Sequence, residues 1–108
     1  MKPKIFGLCN GGSPGWYDAL AMAEDGTVVA QHACSHPGWV RHDLGMDGES
    51  TWKHELYAAH YPDGYELVFV PDAEVLTHPG LTAAYAANQE QRRVADAAAL
   101  AARGEVTP

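Results

Sequence analysis

Apolar and polar positions along this chain follow two rhythms, one of period two and one of a helical turn. Residues 4–9, KIFGLC, read as a strand, and NGGSPG then supplies turn residues. WYDALAMAE and TVVAQHACS flank Asp25-Gly26, and an Asp-Gly pair between two strand-like runs signals a hairpin. A two-residue turn there predicts that Glu24 faces Thr27, Met22 faces Val29, Leu20 faces Gln31 and Asp18 faces Ala33. On the opposite face Ala23 meets Val28, Ala21 meets Ala30, Ala19 meets His32 and Tyr17 meets Cys34. That second face is mostly small, so a helix can approach it closely. The stretch HPGWVRHDLGMDGES is irregular, with one helical turn expected over Trp39 to Leu44. Ser50 is placed to cap a short helix, TWKHELYAAHY, that Pro62-Asp63-Gly64 stops. YELVFV is a further strand whose alternation puts Tyr65, Leu67 and Phe69 on one side.

From Pro79 to about Gly104 the pattern is helical, with proline at the first position and glycine after the last. Its character changes midway. Leu81 to Ala87 is apolar, NQEQRR is polar all round, and an alanine run follows. Alanine favours helix but buries little area. The expectation is a single compact α+β domain over residues 1–87, with 88–108 the projecting or frayed end of the C-terminal helix and its tail. The order is β-β-β-α-β-α: a three-strand antiparallel meander plus a fourth strand after a short helix. If the fourth strand pairs with the first, the sheet order is 3-2-1-4 and the crossover is right-handed. The segments SPGW, HPGW and HPGL are alike but irregularly spaced, so they are reused turn chemistry, not a repeat.

Composition narrows the function classes. The chain has 108 residues, enough for one domain, and a formal net charge of −7. So few cations argue against a nucleic-acid backbone as partner and make a basic protein surface an easier one. No apolar run is long enough to span a bilayer, and MKPKIFGLCNGG lacks the apolar core of a secretory signal, so a cytoplasmic location is expected. The two cysteines, Cys9 and Cys34, fall on the first and third strands with the second between them, and are expected to remain thiols.

The stretch QHACSHPGWVRH is dense in metal-ligating groups. His32, Cys34 and His36 share one face if strand geometry persists, and two imidazoles with a thiolate suit Zn²⁺. The competing and preferred reading packs His32 and Cys34 opposite Ala19 and Tyr17, with Pro37 ending the strand before the three converge. His54-Glu55 is not a zincin motif, because the next histidine is His60 and not one helical turn away. GGSPG has the letters of a nucleophile elbow, but Pro14 has no N–H for an oxyanion hole, and a strand follows instead of a helix. Trp16 and Trp39 each follow a Pro-Gly turn, and Trp52 opens the short helix. Trp16 and Trp39 are candidates for protein binding, although lids over a small core are the preferred reading.

Read in order, IFGLCNGGSPG, HELYAA and YELVFVPDAEVL resemble ribonuclease H, over residues 5 to 76. By that resemblance Asn10, Glu55 and Asp72 stand at three carboxylate positions that hold two Mg²⁺ ions. The departures point away from catalysis. Asn10 removes a charge that a bridging ligand needs, and no chain remains for a fifth strand and a last carboxylate-bearing helix. The resemblance therefore implies a trimmed scaffold used for binding. SHPGWVRHDLG and WKHELYAAHYPDGYEL are also similar to uncharacterised proteins of phages and prophages, which implies no known activity. The expected function is that of a small acidic phage-like protein, a non-enzymatic protein-binding or regulatory module without a cofactor. The alternatives are a metal-dependent hydrolase, with Zn²⁺ on the histidine strand or Mg²⁺ on the carboxylates, and a structural subunit that assembles through its alanine-rich helix.

Overall fold

A computed structural model describes residues 2–11, 15–71 and 74–106. Strands β1 (Lys4–Asn10), β2 (Tyr17–Ala23) and β3 (Val28–Ser35) form an antiparallel meander. A 3₁₀ turn (Pro37–Trp39) leads into α1 (Val40–Asp43), then α2 (His54–His60), β4 (Glu66–Phe69) and α3 (Pro79–Val106). The sheet order is β3-β2-β1-β4, with β4 parallel to β1. The fold is α+β, with the expected element order and strand order.

β1 lies between two partners and is covered on both faces, which is why its run KIFGLC is almost continuously apolar. On one face Ile5 joins Ala19, Ala21 and Ala30, and these pack against Val40, Leu44, Met46 and Tyr57. The alanines keep this face low, so the short α1 and its following loop settle directly on it. Tyr65, Leu67 and Phe69 flank the same cluster, as their alternation predicts. The Tyr57 hydroxyl donates to the Leu44 carbonyl at 2.6 Å, deep in this layer. Burial, with the neighbouring Tyr65 adding to it, pushes the Tyr57 phenol well above its ordinary pKa. On the other face Phe6, Leu8, Met22 and Val70 pack against Leu81 and Ala84 of α3.

The hairpin forms, but its turn differs from the two-residue expectation. The Ala23 amide donates to the Thr27 carbonyl, and Gly26, at φ +89°, donates back to Ala23. This is a three-residue loop, a type I turn closed by a left-handed glycine. Met22 therefore faces Val28 instead of Val29. Val29 is then an extra residue, which restores the expected register at Ala21–Ala30, Leu20–Gln31 and Ala19–His32. A second irregularity brings Ser35, not Cys34, opposite Tyr17. Cys34 adopts φ +58°, and its amide donates to Asp18 Oδ1 at 3.2 Å. One extra residue exchanges the faces of everything beyond it, so Ser35 turns inward and is 2 % exposed.

Ser50 does not cap α2. Lys53 occupies the cap position without a side-chain bond, and the Ser50 hydroxyl serves Asp47 Oδ1 at 2.7 Å and the His42 carbonyl at 3.1 Å. In α3, Leu81 and Ala84 are buried, and Asn88 and Gln91 reach the hairpin turn, donating to the carbonyls of Gly26 and Asp25 at 2.8 and 2.7 Å. Every residue from Gln89 to Arg103 is exposed.

Candidate functional site

The irregularity at Cys34 and the turn after β3 build the most distinctive surface of the molecule. Ser35, turned inward by the bulge, donates to Asp43 Oδ2 at 2.6 Å. This fixes the last residue of α1. The main-chain carbonyl of Asp43 in turn accepts the Trp52 indole N–H at 3.2 Å. His42 stands edge-on to Trp52 at 4.7 Å between ring centroids, and its Nδ1 donates to Asp47 Oδ2 at 2.6 Å. Asp47 also accepts the Ser50 amide and hydroxyl and the Glu49 amide. Its carboxyl is held far below the usual carboxylate range, first by the Ser50 amide and then by the His42 ring.

Trp39, His42, Asp43 and Trp52 line an open cleft of about 580 Å³. A second cleft of about 300 Å³ shares Asp43 and Trp52 and adds His32 and Lys53. His36 extends the surface the other way, with Trp39 and Trp16 at 6.0 and 6.2 Å on either side. The result is a row of Trp16, His36 and Trp39 followed, across the first cleft, by His42 and Trp52. The tryptophans are 52 %, 65 % and 58 % exposed in chain order, which rules out the lid reading. The core does not need them, because Phe6, Tyr57, Leu8 and Met22 already fill it.

His32, Cys34 and His36 are not brought together, and no group of three or more metal-ligating side chains forms among the described residues. The bulge at Cys34 breaks the alternation that convergence requires. His32 Nε2 lies 3.8 Å from Asp43 Oδ2, Cys34 is exposed, and His36 stands between the tryptophans. Nor are His32 and Cys34 packed core groups; both are exposed. His54 donates from Nε2 to the Gly45 carbonyl at 2.8 Å and packs beside Tyr57 and Tyr65, so it holds the loop to α2. Asn10 and Glu55 are exposed, at the end of β1 and in the first turn of α2, while Asp72 lies outside the described residues, as do positions 12–14 of the glycine-rich loop.

The chain matches no family model, no curated protein and no solved structure. Among the described residues no helix is long and apolar enough to cross a membrane.

Chemically, the row offers flat aromatic area, imidazole edges and two anchored carboxylates. Ser35 is buried and bonded directly to Asp43, so Ser35, His32 and Asp43 do not form a nucleophile–base relay, in which the histidine must stand between the other two. Asp43, Asp47 and Trp52 are the members that sequence reading misses. The spacing of His42 and Asp47 around Gly45 hints at a local loop pair, but the junction of Trp52 with Asp43 has no sequence signal.

Proposed function

We propose that the protein is a non-enzymatic binding module that engages a protein partner through its tryptophan–histidine row. The observation that carries this reading is the exposure of three tryptophans on one surface, each more than half accessible. Indole is costly to leave in water and is enriched where partners dock. One end of the row is also pre-positioned. Trp52 is anchored to the Asp43 carbonyl and His42 to Asp47, so little side-chain entropy remains to be lost on binding. The net charge of −7 favours a partner with a basic surface.

The test is quantitative capture from extracts of the source cell, followed by reconstitution with the purified captured protein. Wild type is compared with a Trp39→Ala/Trp52→Ala double variant and with Leu100→Ala, a change on the exposed part of α3. Loss of each anchoring tryptophan is expected to cost about 2 kcal/mol of binding, while Leu100→Ala leaves binding intact. A partner held equally well by the double variant overturns the reading.

A further inference from the structure

Resting on that reading, we infer that the cleft between Trp39 and Trp52 takes a cationic side chain of the partner, and an arginine in preference to a lysine. Both indoles that frame the cleft are more than half exposed, and an indole face attracts a cation electrostatically. Asp43 borders the same cleft, with its side chain only 15 % exposed. Among the described residues no lysine or arginine comes within ion-pair distance of its carboxylate; the nearest basic group is the His32 ring at 3.8 Å. The carboxylate cannot swing out to find a counter-ion, because the buried Ser35 hydroxyl holds it at 2.6 Å. The cleft thus joins two cation-attracting indole faces to a fixed carboxylate that no lysine or arginine balances.

Other occupants fit less well. An anion would meet Asp43 and the neighbouring Asp47. An apolar side chain would bury the Asp43 carboxylate further with nothing to offset its lost hydration. The adjoining cleft carries Lys53, which confines the cation to the Trp39 side. Guanidinium is the better match of the two cations, since it is flat enough to lie on an indole, forks to a carboxylate, and is more weakly hydrated than ammonium.

The probe is N-acetyl-arginine amide, titrated into the nitrogen-labelled full chain while the indole N–H resonances are followed. N-acetyl-citrulline amide, its neutral isostere, and N-acetyl-lysine amide are the comparisons. Arginine amide is expected to shift the Trp39 and Trp52 signals, with citrulline amide about five-fold weaker or more and lysine amide in between. Asp43→Asn keeps an oxygen for Ser35 and should weaken arginine amide several-fold, toward the citrulline level, with the indole faces supplying the remainder. Trp39→Ala, at an exposed position outside the core, should weaken arginine amide about five-fold without unfolding the chain. Equal binding of arginine and citrulline amides, no shift with either, or an unchanged arginine affinity in both variants overturns the proposal. If the captured partner still depends on Trp39 and Trp52 while arginine amide fails, the cation assignment alone falls. If capture is indifferent to both tryptophans, the binding reading itself falls.

Discussion

Replacing Gly26 with alanine should separate the cost of a turn from the cost of a docking contact. Gly26 sits at φ +89°, and a Cβ there would lie 2.5 Å from the Asn88 amide nitrogen, 2.8 Å from the Ala84 carbonyl oxygen and 2.9 Å from the Ala87 carbonyl carbon. All three are backbone atoms of α3, so no side chain can rotate away, and the helix must retreat by about 1 Å to reach normal contact. The bonds from Asn88 and Gln91 to the turn carbonyls, at 2.8 and 2.7 Å, would then stretch out of range. Each is worth about 0.5–1.5 kcal/mol, and the left-handed backbone costs alanine a further 1–2 kcal/mol or so. The expected loss is about 3 kcal/mol, read from urea unfolding at constant m. Gly48→Ala is the control. Gly48 has φ +84° but nothing within 4 Å of its would-be Cβ, so only the backbone cost of about 1 kcal/mol should appear. In the Gly26→Ala background, Asn88→Ala should cost almost nothing, since its bond is already gone. A Gly26→Ala loss within about 0.5 kcal/mol of the Gly48→Ala loss would refute the docking account.

Three other outcomes follow from the same packing. Leu81→Ala, at a fully buried position, should destabilise by about 2–5 kcal/mol, whereas Leu100→Ala, 69 % exposed, should leave the unfolding midpoint unchanged at every protein concentration. The folded state keeps the Tyr57 phenol neutral above the ordinary value of about 10, so this contribution is complete below that pH and is lost as pH rises toward the raised folded value. Tyr57→Phe should cost about 1–3 kcal/mol at neutral pH by leaving the Leu44 carbonyl unmet. It should also flatten most of the alkaline loss of stability; Tyr61, raised by burial and by Asp25 and Glu24, supplies a remainder. Cys34→Gly should be neutral or stabilising by up to about 1 kcal/mol, and Cys34→Val should destabilise by about 1–2 kcal/mol, because φ +58° strains a β-branched residue most; the reverse order in urea melts would disprove strain at the bulge.

The elements were legible because each rests on a local signal. Alternation marks β4, with Tyr65, Leu67 and Phe69 on one side, and Asp25-Gly26 marks the hairpin whatever its loop length. The alanines of β2 and β3 announce a face that a helix can approach. What is lost locally is the count of residues in the ladder. Two- and three-residue loops share the Asp-Gly signature, and the extra residue at Val29 restores the register so quickly that the middle of the hairpin reads the same under either. The irregularity at Cys34 has no comparable restoration, and it decides the site, because it turns Ser35 inward to hold Asp43 and parts the three ligands that alternation would align.

By itself, then, the sequence determines where strands and helices form, that the alanine-lined face of the hairpin admits a helix, and how much of α3 has apolar surface to bury. These follow from side-chain periodicity and turn chemistry, whose range is a few residues. That β4 pairs with β1 is decided by the tertiary structure. The tertiary structure alone decides that Trp16, Trp39 and Trp52 stand in one row with His36 and His42, since the row spans the start of β2, the turn after β3 and the approach to α2. It also decides that Asp43 is a fixed carboxylate beside two indoles. That depends on a single hydrogen bond from a residue whose facing is set by one extra position in its own strand, β3, opposite β2, an outcome of strand pairing that no local pattern encodes.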